Sequence, residues 1–367
     1  MTHCVFSIAG RPIGPGHPPY VIAELSANHN GNLQRALDSI DAAKAAGADA
    51  VKIQSYSPDT ITLNHDSPQF RIQGGLWDGY RLYDLYAEAQ TPFAWHPALF
   101  DKAREVGITL FSSPFDASAV DLLESLDTPA YKIASFEAID LPLIQTVAAT
   151  GKPLIISTGM ANEAEIAEAL AAAKAAGAQA VALLHCISGY PAPISQSNLR
   201  TIPAMAARFD ALIGLSDHSL GTSVAVASVA LGASIIEKHF QLDDCEDGPD
   251  SAFSLTPDQL KALCTDARAA WEALGTASYA RKPAEDGNAQ FRRSLYFVRD
   301  VKAGQTITAD DVRSIRPGYG LKPKYLGDVI GSTAKADVAR GTAVSWPLLQ
   351  PSAERHCGFY ADVGAAL

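Results

Sequence analysis

Residues 153–184 read PLIISTGMANEAEIAEALAAAKAAGAQAVALL, and this stretch decides the fold. A short β-branched run, Pro153-Leu-Ile-Ile-Ser157, ends in a hydroxyl. An alanine-rich amphipathic stretch from Glu163 to Ala176 follows, Gly177 suits a helix C-terminus, and Ala180-Val-Ala-Leu-Leu184 opens the next apolar run. Two β-branched runs separated by one helix make a strand–helix–strand unit with parallel strands. The same phrase recurs in both directions. Upstream stand Tyr20–Glu24, Ala50–Gln54, Ile108–Ser112 and Ala130–Ala134; downstream stand Ala211–Leu215 and Ser234–His239. Asn32–Ala46 reads as another of the helices, and Gly47, Gly107 and Gly232 precede strands as Gly177 does. Eight such units over about 250 residues place the chain in the α/β class as a (β/α)₈ TIM barrel. An open doubly wound sheet is the alternative, but eight evenly spaced parallel strands favour closure.

The chain has 367 residues, too many for one ordinary domain and enough for two. With 47% hydrophobic and 19% charged residues it can build a sizeable core. A net charge of −11 argues against a nucleic acid or an anionic membrane as partner, since both need a cationic surface. No apolar run approaches the roughly 18–20 residues of a membrane span; the longest, Ser223–Ile236, is short and rich in Ala, Ser and Gly. The N-terminus lacks the basic start and apolar run of a secretory signal. Five scattered cysteines, never spaced as CxxC, argue against disulfides or a thiolate metal site and suit a reducing cytoplasm.

Five segments are expected. Residues 1–19 form an N-terminal hairpin that plugs the barrel floor, 20–275 the barrel, 276–290 a polar linker, 291–351 a compact second unit, and 352–367 a C-terminal tail. From Phe291 to Gln350 there are ten Lys and Arg against five Asp and no Glu, a charge of +5 that leaves −16 for the remainder. A basic cap and an acidic barrel suggest two units, or two subunits, that dock face to face.

In a TIM barrel the chemistry sits at the C-terminal strand ends. That rule gathers Glu24, Lys52, Gln54, Ser113, Lys132, Ser135, Ser157, Ser188, Asp217, His218 and His239 into one ring. A serine at a strand end is ordinarily a turn or cap residue. Two mid-strand lysines, however, would be buried charges without partners unless they serve an anion. Lys52 and Lys132 with Ser113, Ser135 and Ser157 therefore read as a phosphate and carboxylate site. His218 and His239 end neighbouring strands and can hold a divalent ion with positions left open, with Asp217 or Glu237 in support. Glu24 and Glu137 are candidates for proton transfer or for holding sugar hydroxyls. Asp250 and Tyr190 lie on loops facing the same mouth. His29, His65, His96 and His185 keep the ordinary reading of hydrogen-bonded residues.

The ordered motifs AELSANHNG (23–31), VKIQSY (51–56), FSSPFD (111–116), YKIASFE (131–137) and ISTGM (156–160) resemble the nonulosonic acid synthases. So do YPAP (190–193), GLSDH (214–218), EKHF (237–240), GPDSAFSL (248–255), FRRSLY (291–296) and RPGYGLKPKY (316–325), over residues 6 to 350 in all. Residues 70–92 and 131–144 resemble the pseudaminic acid branch in particular. The resemblance implies a barrel followed by an antifreeze-like (SAF, β-clip) domain, in a homodimer whose small domain swaps over the partner's mouth. It implies a transferase that condenses phosphoenolpyruvate with an open-chain acetamido sugar and releases phosphate. For this branch the sugar is 2,4-diacetamido-2,4,6-trideoxy-L-altropyranose; N-acetylneuraminate or legionaminate synthesis is the alternative, and a non-catalytic carbohydrate-binding barrel a remote one. The divalent ion, commonly Mn²⁺ with Mg²⁺ or Co²⁺ as other options, falls to His218 and His239. Lys52, Ser113, Lys132, Ser135 and Ser157 match the phosphoenolpyruvate contacts, and Phe115 lies in the same motif as Ser113. Ser188 stands where the sialic acid branch has Asn. Glu24, Glu137, Tyr190 and Asp250 match sugar contacts, and Arg316 matches an arginine supplied by the other subunit.

Overall fold

The computed structural model describes residues 5–243 and 248–351; the tail expected at 352–367 and the first four residues of the hairpin segment lie outside the described residues. The chain divides into two compact units, Met1–Gly275 and Thr276–Leu367.

The first unit opens with a hairpin, β1 (Phe6–Ile8) and β2 (Arg11–Ile13). Eight parallel strands follow: β3 (Tyr20–Glu24), β4 (Ala50–Ser55), β5 (Thr109–Pro114), β6 (Tyr131–Ile133), β7 (Leu154–Ser157), β8 (Val181–Cys186), β9 (Leu212–Asp217) and β10 (Ile235–His239). They close in chain order, with β10 pairing back on β3 so that His239 lies opposite Glu24. Helices cover the outside. Asn32 caps Leu33–Ala46 by accepting from Arg35 N, and Gly47 ends that helix at φ 93°, a left-handed turn where a β-carbon would be strained. Helix Glu163–Ala175 starts in a capping box of Asn162 and Glu165 and ends at Ala176, one residue before the expected Gly177.

Period-two alternation divides every strand between two cores. Val21, Val51, Ile53, Leu110, Ile156, Leu183, Leu215 and Ile236 face outward and pack with the helices. Tyr20, Ile22, Ala50, Phe111, Ala130, Ile155, Ala182, Leu212 and Ile235 face inward and fill the lower barrel. Ile8 and Ile13 of the hairpin join that inner cluster, so the hairpin seals the floor where the strands begin. Inward positions higher on the same strands carry Glu24, Lys52, Gln54, Ser113, Lys132, Ser157, Glu237 and His239. The mouth is polar because the inward register turns from apolar to charged on β3, β4, β6 and β10 and to serine on β5, β7 and β9.

Within residues 276–290, Pro283–Phe291 begins a largely exposed 3₁₀ helix, more regular than the sequence suggests for a linker. The second unit pairs β11 (Ser294–Phe297) with β12 (Val312–Ile315) and β13 (Thr333–Ala334) with β14 (Leu349–Gln350), both antiparallel. Leu295, Phe297, Ile307, Val312, Val329, Val344 and Leu349 form its core.

Candidate active site

The centre of the mouth is a buried ion network. Lys52 Nζ lies 2.9 Å from Glu24 Oε2 and 3.7 Å from Glu237 Oε1, while Lys132 Nζ reaches the same Glu237 oxygen at 3.2 Å. Ser216 donates to that oxygen at 3.2 Å, and Lys52 donates to Ser113 Oγ at 3.3 Å. Gln54 donates to Glu24 Oε1 at 2.8 Å, so Glu24 is held from both sides. Burial opposes charge on all four groups. For Lys52 the carboxylates of Glu237 and Glu24 outweigh it and raise the ammonium pKa; for Lys132 burial wins and lowers it. Burial raises the Glu24 carboxyl, whereas two lysines overcome burial at Glu237 and lower it. Two cations balance two anions, and Glu237 Oε2 keeps no hydrogen-bond partner.

One side of this network is lined with hydroxyls. Ser135 and Ser188 share a hydrogen bond of 2.8 Å, and the buried Ser157 Oγ has no partner. Gly159 leaves room for these side chains: a β-carbon would come within 2.1 Å of Ser188 Oγ and 3.1 Å of both Cys186 Sγ and Ser135 Cβ, so the Ser188 hydroxyl would have to shift. Glu137 stands on the turn after β6 with an unpartnered Oε2, and burial pushes its carboxyl up to about 7.

The imidazoles form the other side. The His218 and His239 ring centroids are 5.4 Å apart. His218 Nδ1 contacts Ile187 O at 2.9 Å, which assigns the proton to Nδ1 and leaves Nε2 with its lone pair. His239 Nδ1 is buried without a hydrogen-bond partner, and its nearest carboxylate oxygen, Asp250 Oδ2, is 3.6 Å away. Burial lowers the pKa of both rings, and His218, Lys52 and Lys238 lower His239 further. Two neutral imidazoles with free lone pairs are the form a divalent cation needs. Among the described residues no third His, Cys, Asp or Glu completes a ligand cluster, so remaining positions would fall to water and substrate. Aromatic rings wall this side: Tyr190 is 4.4 Å from His218, Phe253 4.8 Å from His239, and Trp77 5.7 Å from Tyr190. Trp77 also donates to Pro249 O at 3.1 Å, tying its loop to the one bearing Asp250. Burial raises the Asp250 carboxyl.

The structure brings together Glu24, Lys52, Ser113, Lys132, Ser135, Glu137, Ser157, Ser188, Tyr190, His218, His239 and Asp250. Phe115 is half-buried with its ring 5.1 Å from Tyr56. Arg316 is exposed in the second unit. Asp217 is a correction: β9 runs through it with Ile213 and Leu215 on the outward register, so its carboxylate leaves the ring and pairs with Lys238 at 2.8 Å. Glu237 likewise binds lysines directly rather than backing a histidine. Sequence reading missed Cys186, 3.8 Å from His218 Nδ1, and Phe253. Inward parity on β8 would have found the cysteine; Phe253 comes from a loop whose course no local pattern encodes.

Residues 39–279 match the NeuB family, and residues 292–350 match the SAF domain. Pseudaminic acid synthase from Campylobacter jejuni is 45% identical over 325 residues, covering 89% of this chain and 95% of that protein. N,N'-diacetyllegionaminic acid synthase from Legionella pneumophila is 34% identical, covering 92% and 96%. Among solved structures, N-acetylneuraminic acid synthetase from Leptospira borgpetersenii superposes with a TM-score of 0.70 at 29% identity, covering 79% of this chain and 96% of that one. With the synthase model spanning most of the barrel and the relatives nearly the whole chain, this protein belongs to the NeuB family and carries a C-terminal SAF domain.

Proposed function

We propose that this chain is a pseudaminic acid synthase, condensing phosphoenolpyruvate with 2,4-diacetamido-2,4,6-trideoxy-L-altropyranose and water to give pseudaminic acid and phosphate. One observation carries the reading: two buried lysines sharing Glu237 face two neutral imidazoles across a single mouth. The 45% identity to pseudaminic acid synthases selects the sugar.

Lys52 and Lys132, with Ser113, Ser135 and Ser157, bind the phosphate and carboxylate of phosphoenolpyruvate. To do so the ammonium groups turn from their carboxylate partners to the incoming anion. Glu24, Asp250 and Tyr190 orient the open-chain sugar so that its aldehyde carbon meets C3 of phosphoenolpyruvate. The π electrons of C2–C3 form the new C–C bond as the aldehyde C=O π bond breaks, the aldehyde oxygen takes a proton from solvent water, and C2 becomes an oxocarbenium centre. Glu24 and Glu237 stabilise that positive charge. Water adds to C2 as Glu137 accepts its proton, a task suited to a carboxyl near pKa 7. The C2 hydroxyl then collapses to the ketone as the bond to the bridging oxygen breaks, and phosphate leaves with the hydroxyl proton into the lysine and serine cradle. A divalent ion held by His218 and His239, with Mn²⁺ the first candidate and Mg²⁺ and Co²⁺ the others, supplies Lewis acidity to the aldehyde.

The same reading includes a homodimer in which Arg316 of one SAF domain serves the partner's mouth. Its place of work is the cytoplasm, where phosphoenolpyruvate is made; among the described residues no helix is long and apolar enough to cross a membrane. The test is incubation with phosphoenolpyruvate, Mn²⁺ and each of three sugars: the 6-deoxy L-altro sugar, its legionaminate-type isomer, and N-acetylmannosamine. Product mass and phosphate release are expected for the first alone. Faster turnover of either other sugar reassigns the specificity, and release with none overturns the activity.

A further inference from the structure

Lys238 sits between Glu237 and His239 on β10 but faces the opposite side of the barrel wall. Its register partner on β9 is Asp217, the residue before His218. The two side chains meet with Nζ 2.8 Å from Oδ2 at 0% and 3% exposure, among the most enclosed charges in the chain. The same ammonium donates to Ser219 O, and Asp217 Oδ1 accepts from Ser219 N at 2.9 Å. His218 is thus bracketed. The residue before it and the residue after it are both fastened to Lys238, which is covalently joined to His239.

A buried ion pair contributes little to stability beyond what apolar residues of equal volume provide, because desolvation offsets most of the attraction. What it adds is a fixed distance and direction. We propose that the Asp217–Lys238 pair is a positioning device that sets the separation of the two imidazoles and thereby the affinity of the site for a divalent cation. Neither residue touches substrate; both act through the histidines. This inference rests on His218 and His239 being the cation-holding pair.

Lys238→Met and the double variant Asp217→Asn/Lys238→Met test it, the second because it leaves no unpaired buried charge. Mn²⁺ affinity is measured by calorimetry without substrates, and activity is then titrated with Mn²⁺. Both variants are expected to unfold cooperatively, to bind Mn²⁺ roughly 10–100-fold more weakly, and to regain most of kcat at saturating Mn²⁺ with the KM for phosphoenolpyruvate unchanged. Mn²⁺ affinity within twofold of wild type in a folded variant overturns the proposal, as does a loss confined to kcat. Loss of cooperative unfolding in both variants makes the pair a folding requirement and also overturns it. Failure of the wild-type protein to bind Mn²⁺ removes the cation reading itself, an outcome distinct from equal binding by wild type and variants.

Discussion

Glu237 offers one carboxylate oxygen to two ammonium groups, and that sharing makes Lys132 sensitive to substitution. Lys132→Met leaves Glu237 with the longer contact to Lys52 as its one ammonium partner beside the Ser216 hydroxyl, and breaking a buried pair costs about 3–5 kcal/mol. The expected result is a large fall in thermal stability and loss of turnover. Adding Glu237→Gln should restore much of the stability and none of the activity, which separates the structural role from the chemical one. Glu137 gives the pH prediction. Its carboxyl titrates near 7, so as a base it makes turnover rise with pH through that value, and Glu137→Gln should remove this limb. The stability effect has the opposite sign: a raised carboxyl loses stability as pH climbs from its ordinary 4.5 through about 7. Glu137→Gln should therefore match wild type at pH 5 and exceed it at pH 8, by on the order of 1 kcal/mol for a partly exposed group. At this scale the sequence revealed Lys52, Lys132, His218 and His239, because charged residues in β-branched runs need a reason. It misdirected Asp217, because a strand two residues longer than its apolar run reverses nothing in composition yet fixes which face the side chain takes.

At the level of elements, the eight strands were legible from β-branched runs and glycine punctuation, since parallel barrel strands are buried on both faces. The loops were not. Trp77 reaches the mouth through a segment whose ring contact with Tyr190 and bond to Pro249 join three strand–helix connections. A hexose chain spans about 6 Å by backbone dimensions. If the sugar runs from the imidazoles along the aromatic wall of Tyr190, its 6-deoxy methyl meets Trp77. Trp77→Ala should raise the KM for the 6-deoxy sugar by about tenfold, the scale of one apolar group in a pocket, with a smaller change in kcat. Equal loss with every sugar, read from kcat/KM, would assign Trp77 to loop support alone.

For the whole molecule, the sequence showed a basic unit of +5 following an acidic barrel, and the structure gives that unit its own core around Leu295, Phe297 and Val344. Arg316 belongs to it, exposed, while every other candidate residue belongs to the barrel. If one protomer's SAF domain completes its partner's mouth, Arg316→Ala and Lys52→Met should each be nearly inactive alone. Mixed and reassembled, they should recover about a quarter of wild-type activity, since half the dimers would hold one intact mouth of two. No recovery would mean that each chain serves its own barrel. All of this depends on both reactants meeting at one mouth. Anomalous diffraction from crystals soaked with Mn²⁺ and phosphoenolpyruvate tests that directly. The account predicts a metal peak within coordination distance of His218 and His239 and a phosphate group against Lys132, with C3 of phosphoenolpyruvate between them. Metal and phosphate density at separate places, or phosphate away from both lysines, would contradict it.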